Sequence, residues 1–275
     1  MTASQHHTVP GADPRSLDVE IGTGDVLVRL DPDHTEVTVT VSGRGADDVE
    51  VTGDDHAVTV SQRRRMGFIS RDVDVVITAP PGCRAAVRTG SAPIVITGTV
   101  GGAALKSGSG DVRLDRLDGD GQVATGSGDI TVAATAAPAS LRSGSGDVRV
   151  GHVGAPLTVS TGSGAVHLER VEAAVVAKTG SGDLAVGSTA EPVRFTTASG
   201  NLGIEVVEAS EVEAKTASGD VRVGVRAGTP VWTDVSTLAG SVRNELESLG
   251  APADGQPHAR VSATTISGGV HLRHV

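Results

Sequence analysis

One eight-residue phrase, Ser107-Gly108-Ser109-Gly110-Asp111-Val112-Arg113-Leu114, returns along this chain at a fixed interval. Its first position is Thr89, Ser107, Thr125, Ser143, Thr161, Thr179 and Thr197, each 18 residues after the last, then Thr216, Thr237 and Thr265 after steps of 19, 21 and 28. A strict period over that many steps requires equivalent residues to stand over one another in stacked units, which is the signature of a solenoid rather than of a globular core with a few favoured turns.

The columns read vertically confirm the period. Two residues before the Thr or Ser stand Val87, Leu105, Val123, Leu141, Val159, Ala177, Phe195, Ala214, Val235 and Ala263. Five after it stand Ile94, Val112, Ile130, Val148, Val166, Leu184, Leu202, Val221, Val242 and Val270, with a further apolar residue two places on. Each unit therefore carries two short strands with period-2 alternation, a Gly-rich corner between them, and two buried walls. Stacking of identical positions pairs the strands in parallel, coil on coil, at about 4.8 Å. The fold class is all-β: a parallel β-solenoid of 18-residue coils over residues 85–275, preceded by an antiparallel or sandwich-like β cap over 16–84.

The cap expectation rests on alternating runs at Leu17–Ile21, Val26–Leu30, Val37–Val41, Val49–Val51, Val58–Val60 and Val73–Ile77, the last ended by Ala79-Pro80-Pro81-Gly82, where proline removes ladder donors. Residues 1–15 are polar, with Pro10, Pro14 and the pair His6-His7, and read as a flexible arm. The run Gln62 to Phe68, with Arg63, Arg64 and Arg65, reads as a solvated loop tip. An insertion at about 244–260, with Pro252 and Pro257, breaks the period before the last unit; Glu245 to Leu249 fits a single helical turn, and the segment is placed to cover the terminal strand edge.

With 37 Gly, no Tyr, one Trp and two Phe, the core is built from Val, Leu, Ile and Ala. A net charge of −10 argues against a general nucleic-acid or anionic-membrane binder. Cys83 is the only cysteine, so no intrachain disulfide forms; with no signal-like or membrane-spanning apolar run, the expected compartment is the cytoplasm.

At the corner, glycines allow positive φ or close backbone approach, and the flanking hydroxyls and the following Asp can accept from turn amides. The Asp column, Asp111, Asp129, Asp147, Asp183 and Asp220, would repel itself by roughly 1 kcal/mol per neighbouring pair. Ala165 and Asn201 interrupt it, and Arg113, Arg149 and Arg222 follow two residues after an Asp on the same outward face.

Calcium-binding nonapeptide repeats place a residue between Gly and Asp and repeat every nine, unlike this chain; calcium binding by the Asp column stays open as an alternative. A polysaccharide-acting β-helix enzyme, the weaker alternative, needs free carboxylates and aromatic platforms. His258, His271 and His274 lack carboxylate or cysteine neighbours at ligand spacing.

Thr125-Gly-Ser-Gly-Asp-Ile130 and Ser143-Gly-Ser-Gly-Asp-Val148, preceded by Val73-Asp-Val-Val-Ile-Thr-Ala-Pro-Pro-Gly82, resemble the bacterial "putative adhesin" family, domain of unknown function 4097, over residues 15–275. The resemblance implies an N-terminal β region followed by a β-solenoid, contact with a surface, and no catalytic residues to carry over. The expected function is a non-catalytic scaffold or interaction module, without cofactor, catalytic or metal residues, monomeric or weakly oligomeric, and engaging a protein partner rather than nucleic acid or the membrane interior. The candidate contact faces are the outward positions Arg113, Arg149 and Arg222 beside the Asp column, and the interrupted basic row Lys106, Arg142, Lys178 and Lys215 on the other strand.

Overall fold

A computed structural model describes residues 3–9, 16–54, 56–63, 71–247 and 255–275. The chain is all-β, with a three-residue 3-10 turn at Ala46–Asp48 as the one helical element among the described residues. It divides into two compact units, residues 1–143 and 144–275.

In the first unit one sheet runs Ala3–Val9, Val37–Gly43, Val73–Ala79, Gly24–Leu30, Ile94–Val100, Val112–Leu117 and Ile130–Thr135; the other runs Val49–Gly53, Ala57–Gln62, Ser16–Ile21, Arg84–Thr89, Gly102–Ser107, Gly121–Thr125 and Ala139–Ser143. Among the described residues, pairing in this unit is antiparallel only where Val37–Gly43 meets Ala3–Val9 and Val73–Ala79, and where Val49–Gly53 meets Ala57–Gln62. The other ladders are parallel, and from residue 84 onward they keep the register the columns predict, such as Leu105 beside Val87 and Val123, apart from one shift between Leu114 and Arg116.

The antiparallel cap is therefore smaller than residues 16–84. Leu17, Val19 and Ile21 align with Ala85, Val87 and Thr89, and Val26 with Ile94, so residues 16–30 are themselves a coil. Its corner, Ile21-Gly22-Thr23-Gly24-Asp25-Val26, is the repeat phrase with Ile in the hydroxyl position. Residues 57–62 and 73–79 form another coil, stacked outside the first one. Residues 3–9, expected within a flexible arm, are a strand pairing Ala3 to Val9 against Gly43 to Val37. Gln5 Nε2 donates to the Ala46 carbonyl at 3.1 Å, and Val9 packs on Gly53, closing this end. The arginines at 64 and 65 lie outside the described residues.

In the second unit one sheet runs Val148–Val153, Val166–Val171, Leu184–Thr189, Leu202–Val207, Val221–Val225, Val270–His274 and Val242–Glu245; the other runs Leu157–Thr161, Val175–Thr179, Val193–Thr197, Glu211–Ser218, Ala259–Ser267 and Val231–Thr237. Their ladders are parallel, and the coil last in sequence, 259–274, lies between coils 211–225 and 231–245. Outermost in space is thus 231–245, and its apolar column is not buried as expected: Val242 is 50% exposed. Glu245 ends a strand rather than starting a helical turn, while residues 248–254 of the insertion fall outside the described residues.

The corner explains the phrase. The hydroxyls of Ser107, Thr125, Thr161 and Thr179 are buried and accept from the amides of Gly110, Gly128, Gly164 and Gly182 at 2.8–3.1 Å. The same kind of hydroxyl donates to a carbonyl of the adjacent coil, as Thr125 does to Gly110 at 3.3 Å and Thr216 to Gly200 at 3.3 Å. The buried polar column is thereby satisfied, avoiding a cost of about 1–3 kcal/mol per unpaired group. The second glycine of the phrase is required by crowding rather than by φ: a Cβ at Gly110, Gly128, Gly182, Gly200 or Gly219 would lie 1.9–2.2 Å from a carbonyl oxygen of the neighbouring coil. Among the corner glycines only Gly24 has positive φ, at 116°.

Candidate functional site

On the outward face of the sheet that begins at Val148–Val153, side chains of successive coils form two columns. The first contains Arg149, His167, Ala185, Gly203, Arg222 and His271, each in register with the next. The second contains Glu169, Gly187, Glu205, Gly224 and Arg273. Where Ala185, Gly187 and Gly203 face outward the sheet has almost no side-chain cover, and a groove of about 770 Å³ opens there. Gly203 forms its floor: an added Cβ would meet no atom within 4 Å. Arg149 and His167 form one wall, Arg222, His271 and Arg273 the other, with Glu169 and Glu205 also lining it. The lining carries three arginines and two glutamates, mixed in sign.

Part of that charge is held in place by the corner. Arg149 reaches Asp147 at 2.7 Å and Arg222 reaches Asp220 at 2.7 Å, as their spacing suggests; Arg113 reaches Asp111 at 3.3 Å in the first unit. His271 Nε2 lies 3.1 Å from Glu245, whose carboxyl is held below its ordinary value by that hydrogen bond and by Arg243. His167 and Arg273 are drawn into none of these pairs.

The Asp column acts between coils. Asp111, Asp147 and Asp220 accept from the corner amide of the next coil, from Asp129, Ala165 and Gly269 respectively, at 2.9–3.0 Å. Asn201 relays the pattern, giving its amide to Asp183 at 2.7 Å and accepting from Asp220 at 2.8 Å. Charge-assisted bonds of this kind offset the repulsion of a stacked acid row. Among the described residues no three His, Cys, Asp or Glu side chains converge on a common point.

The basic row lies on the other sheet. Lys106 and Arg142 flank Ala124 in the first unit, with Arg88 beside Lys106; Lys178 and Lys215 flank Thr196 in the second. Lys215 Nζ is 2.6 Å from Glu213, which also binds Arg194; hydrogen bonds from both cations lower the Glu213 carboxyl. Of the seven basic candidates, Arg149 and Arg222 reach the groove. His271 and Arg273 were not anticipated there. Column counting puts His271 at the position of Arg222, but only the altered coil order makes the two neighbours.

A profile of the Toastrack DUF4097 family matches residues 15–273. No curated protein matches the sequence. Among solved structures, the chain is similar to a "putative adhesin" from Parabacteroides distasonis (13% identity, 99% of this chain and 97% of that one, TM-score 0.42) and to one from Parabacteroides merdae (13%, 100% and 96%, TM-score 0.39). It is also similar to a "putative lipid binding protein" from Parabacteroides distasonis (11%, 99% and 96%, TM-score 0.36).

Proposed function

The chain belongs to the Toastrack DUF4097 family, and we propose that it serves as a non-catalytic interaction scaffold whose groove between Arg149 and Arg273 receives an acidic segment of a protein partner. The observation that carries this reading is the bare floor at Ala185, Gly187 and Gly203 between walls that carry Arg149, Arg222 and Arg273, a shape that admits an extended backbone and guanidinium donors that can bind its carboxylates. A uniformly charged polyanion such as nucleic acid is a poorer fit, because the rest of an acidic chain repels it. The non-catalytic reading is supported by the repeated hydroxyls and carboxylates, whose polar atoms are engaged in holding coil to coil.

The test is titration with a fluorescent Glu-rich peptide and with a Lys-rich control. Saturable binding of the acidic peptide is expected, abolished by Gly203→Trp and by Arg273→Glu and retained by Lys178→Glu on the opposite sheet. Binding indifferent to the first two changes would place the contact elsewhere. Calcium titration by calorimetry addresses the alternative: no saturable heat is expected, and a saturable one would return the Asp column to the role of a cation site.

A further inference from the structure

Among the described residues, the outermost coil of the second unit has two strands with no partner on one side. Val231–Thr237 ends one sheet and Val242–Glu245 ends the other, so a single coil presents two open ladders. All five exposed large apolar side chains among the described residues lie in this unit: Trp232 (59%), Leu238 (84%), Val242 (50%), Ile266 (54%) and Val275 (46%). Three of them, Trp232, Leu238 and Val242, belong to the outermost coil itself. Open edges with apolar neighbours are sites of strand addition.

We propose that this coil end is the contact surface of a two-fold dimer, in which the edge strands of a second copy of the chain pair antiparallel with their own counterparts. A partner that satisfies both ladders at once must carry two edge strands at the separation set by a coil of this solenoid, and an identical coil end meets that condition by construction. The arrangement closes on itself.

Charge agrees with the two-fold pairing. Centred on Asn244, antiparallel pairing of Val242–Glu245 sets Arg243 opposite Glu245 of the second copy, twice, and brings like charges together nowhere. In Val231–Thr237 the one charged residue is Asp234; pairing centred on Thr233 or on Val235 sets it opposite Trp232 or Ser236. Parallel in-register pairing would instead stack Arg243 on Arg243 and Glu245 on Glu245.

Sedimentation equilibrium on the full chain decides the matter. The wild type is expected as a dimer, and Arg243→Glu and Glu245→Arg are each expected as folded monomers with unchanged far-UV circular dichroism. An equimolar mixture of the two single variants restores the dimer, because a strand with carboxylates at both positions then faces a strand with guanidinium groups at both. The double variant R243E/E245R dimerises with itself. A wild type that stays monomeric to its solubility limit overturns the proposal, as do single variants that keep the dimer mass or a mixture that stays monomeric. Dimerisation only after deletion of residues 248–254 would show that the chain's own insertion covers this edge, and would overturn it too.

Discussion

One end of the first unit and one end of the second are built by the same topological device and finished in opposite ways. In the first, the coil that comes earliest in sequence, residues 16–30, is second from the end, and residues 57–62 and 73–79 lie outside it. In the second, the coil that comes last, residues 259–274, is second from the end, and residues 231–245 lie outside it. Each thus tucks the coil nearest its chain terminus beneath a neighbour. The first end is then covered by antiparallel strands, and Val75 of its outermost coil is fully buried. The second has no such cover among the described residues, and Val242, the column equivalent of Val75, is half exposed. Coil stacking alone buries only one side of the last coil; closure needs strands that leave the repeat.

The largest difference between the ends is expected from a carboxylate in that shared column. Val75→Asp places an unpaired charge in a closed core and should cost about 4 kcal/mol or more, enough to prevent folding. Val242→Asp, at an open coil end, should cost about 1 kcal/mol or less in the monomer. Urea melts of the two variants check this, and equal midpoints would remove the contrast. Val148→Asp should resemble Val75→Asp, while Arg149→Ala stays within about 1 kcal/mol of wild type because its partner is a surface carboxylate.

Corner glycines sharpen the comparison. A Cβ would sit 2.0 Å from the Val73 carbonyl at Gly24 and 1.8 Å from the Gly268 carbonyl at Gly240. Gly24→Ala is expected to cost about 2 kcal/mol or more, since φ is positive and the coil is held from both sides. Gly240→Ala should cost less, because the outermost coil can lift away. Gly203→Ala, facing open space, should be neutral within about 0.5 kcal/mol in thermal melts.

Much of this was legible in the sequence, and the exceptions are physical. The period predicts parallel stacking, the buried columns and the hydroxyl corner, because every coil repeats the same contacts. It does not reveal residues 16–30 as a coil, since the excursion through residues 31–83 breaks the interval and Ile21 replaces the hydroxyl. Nor does it reveal that 259–274 inserts beneath 231–245, because parallel strands accept any coil with matching columns. The groove shows the same limit. Arg149 and Arg222 were visible as outward positions, but a depression made by missing side chains at Ala185, Gly187 and Gly203 emerges only when columns are set side by side.

The smallest expected effect is on acid stability. Glu172, Glu213 and Glu245, all in the second unit, have carboxyls lowered first by hydrogen bonds from His152, Lys215 and His271 respectively. A carboxyl depressed in the folded state contributes stability that is complete above its ordinary range and is lost as pH falls through the folded value. The open end should therefore loosen slightly as pH drops below about 4.5. Trp232, the only tryptophan and a residue of the outermost coil, reports this by fluorescence; Glu245→Gln should flatten the acid change.

The order of the coils is tested most directly by hydrogen–deuterium exchange at concentrations that keep the chain monomeric. Residues 231–237 and 242–245 should exchange fastest among the strands of the second unit, with 259–267 and 270–274 protected beneath them although they lie at the end of the sequence. Protection of 231–245 with rapid exchange across 259–274 would mean that the coils stack in sequence order, and would contradict the arrangement described here.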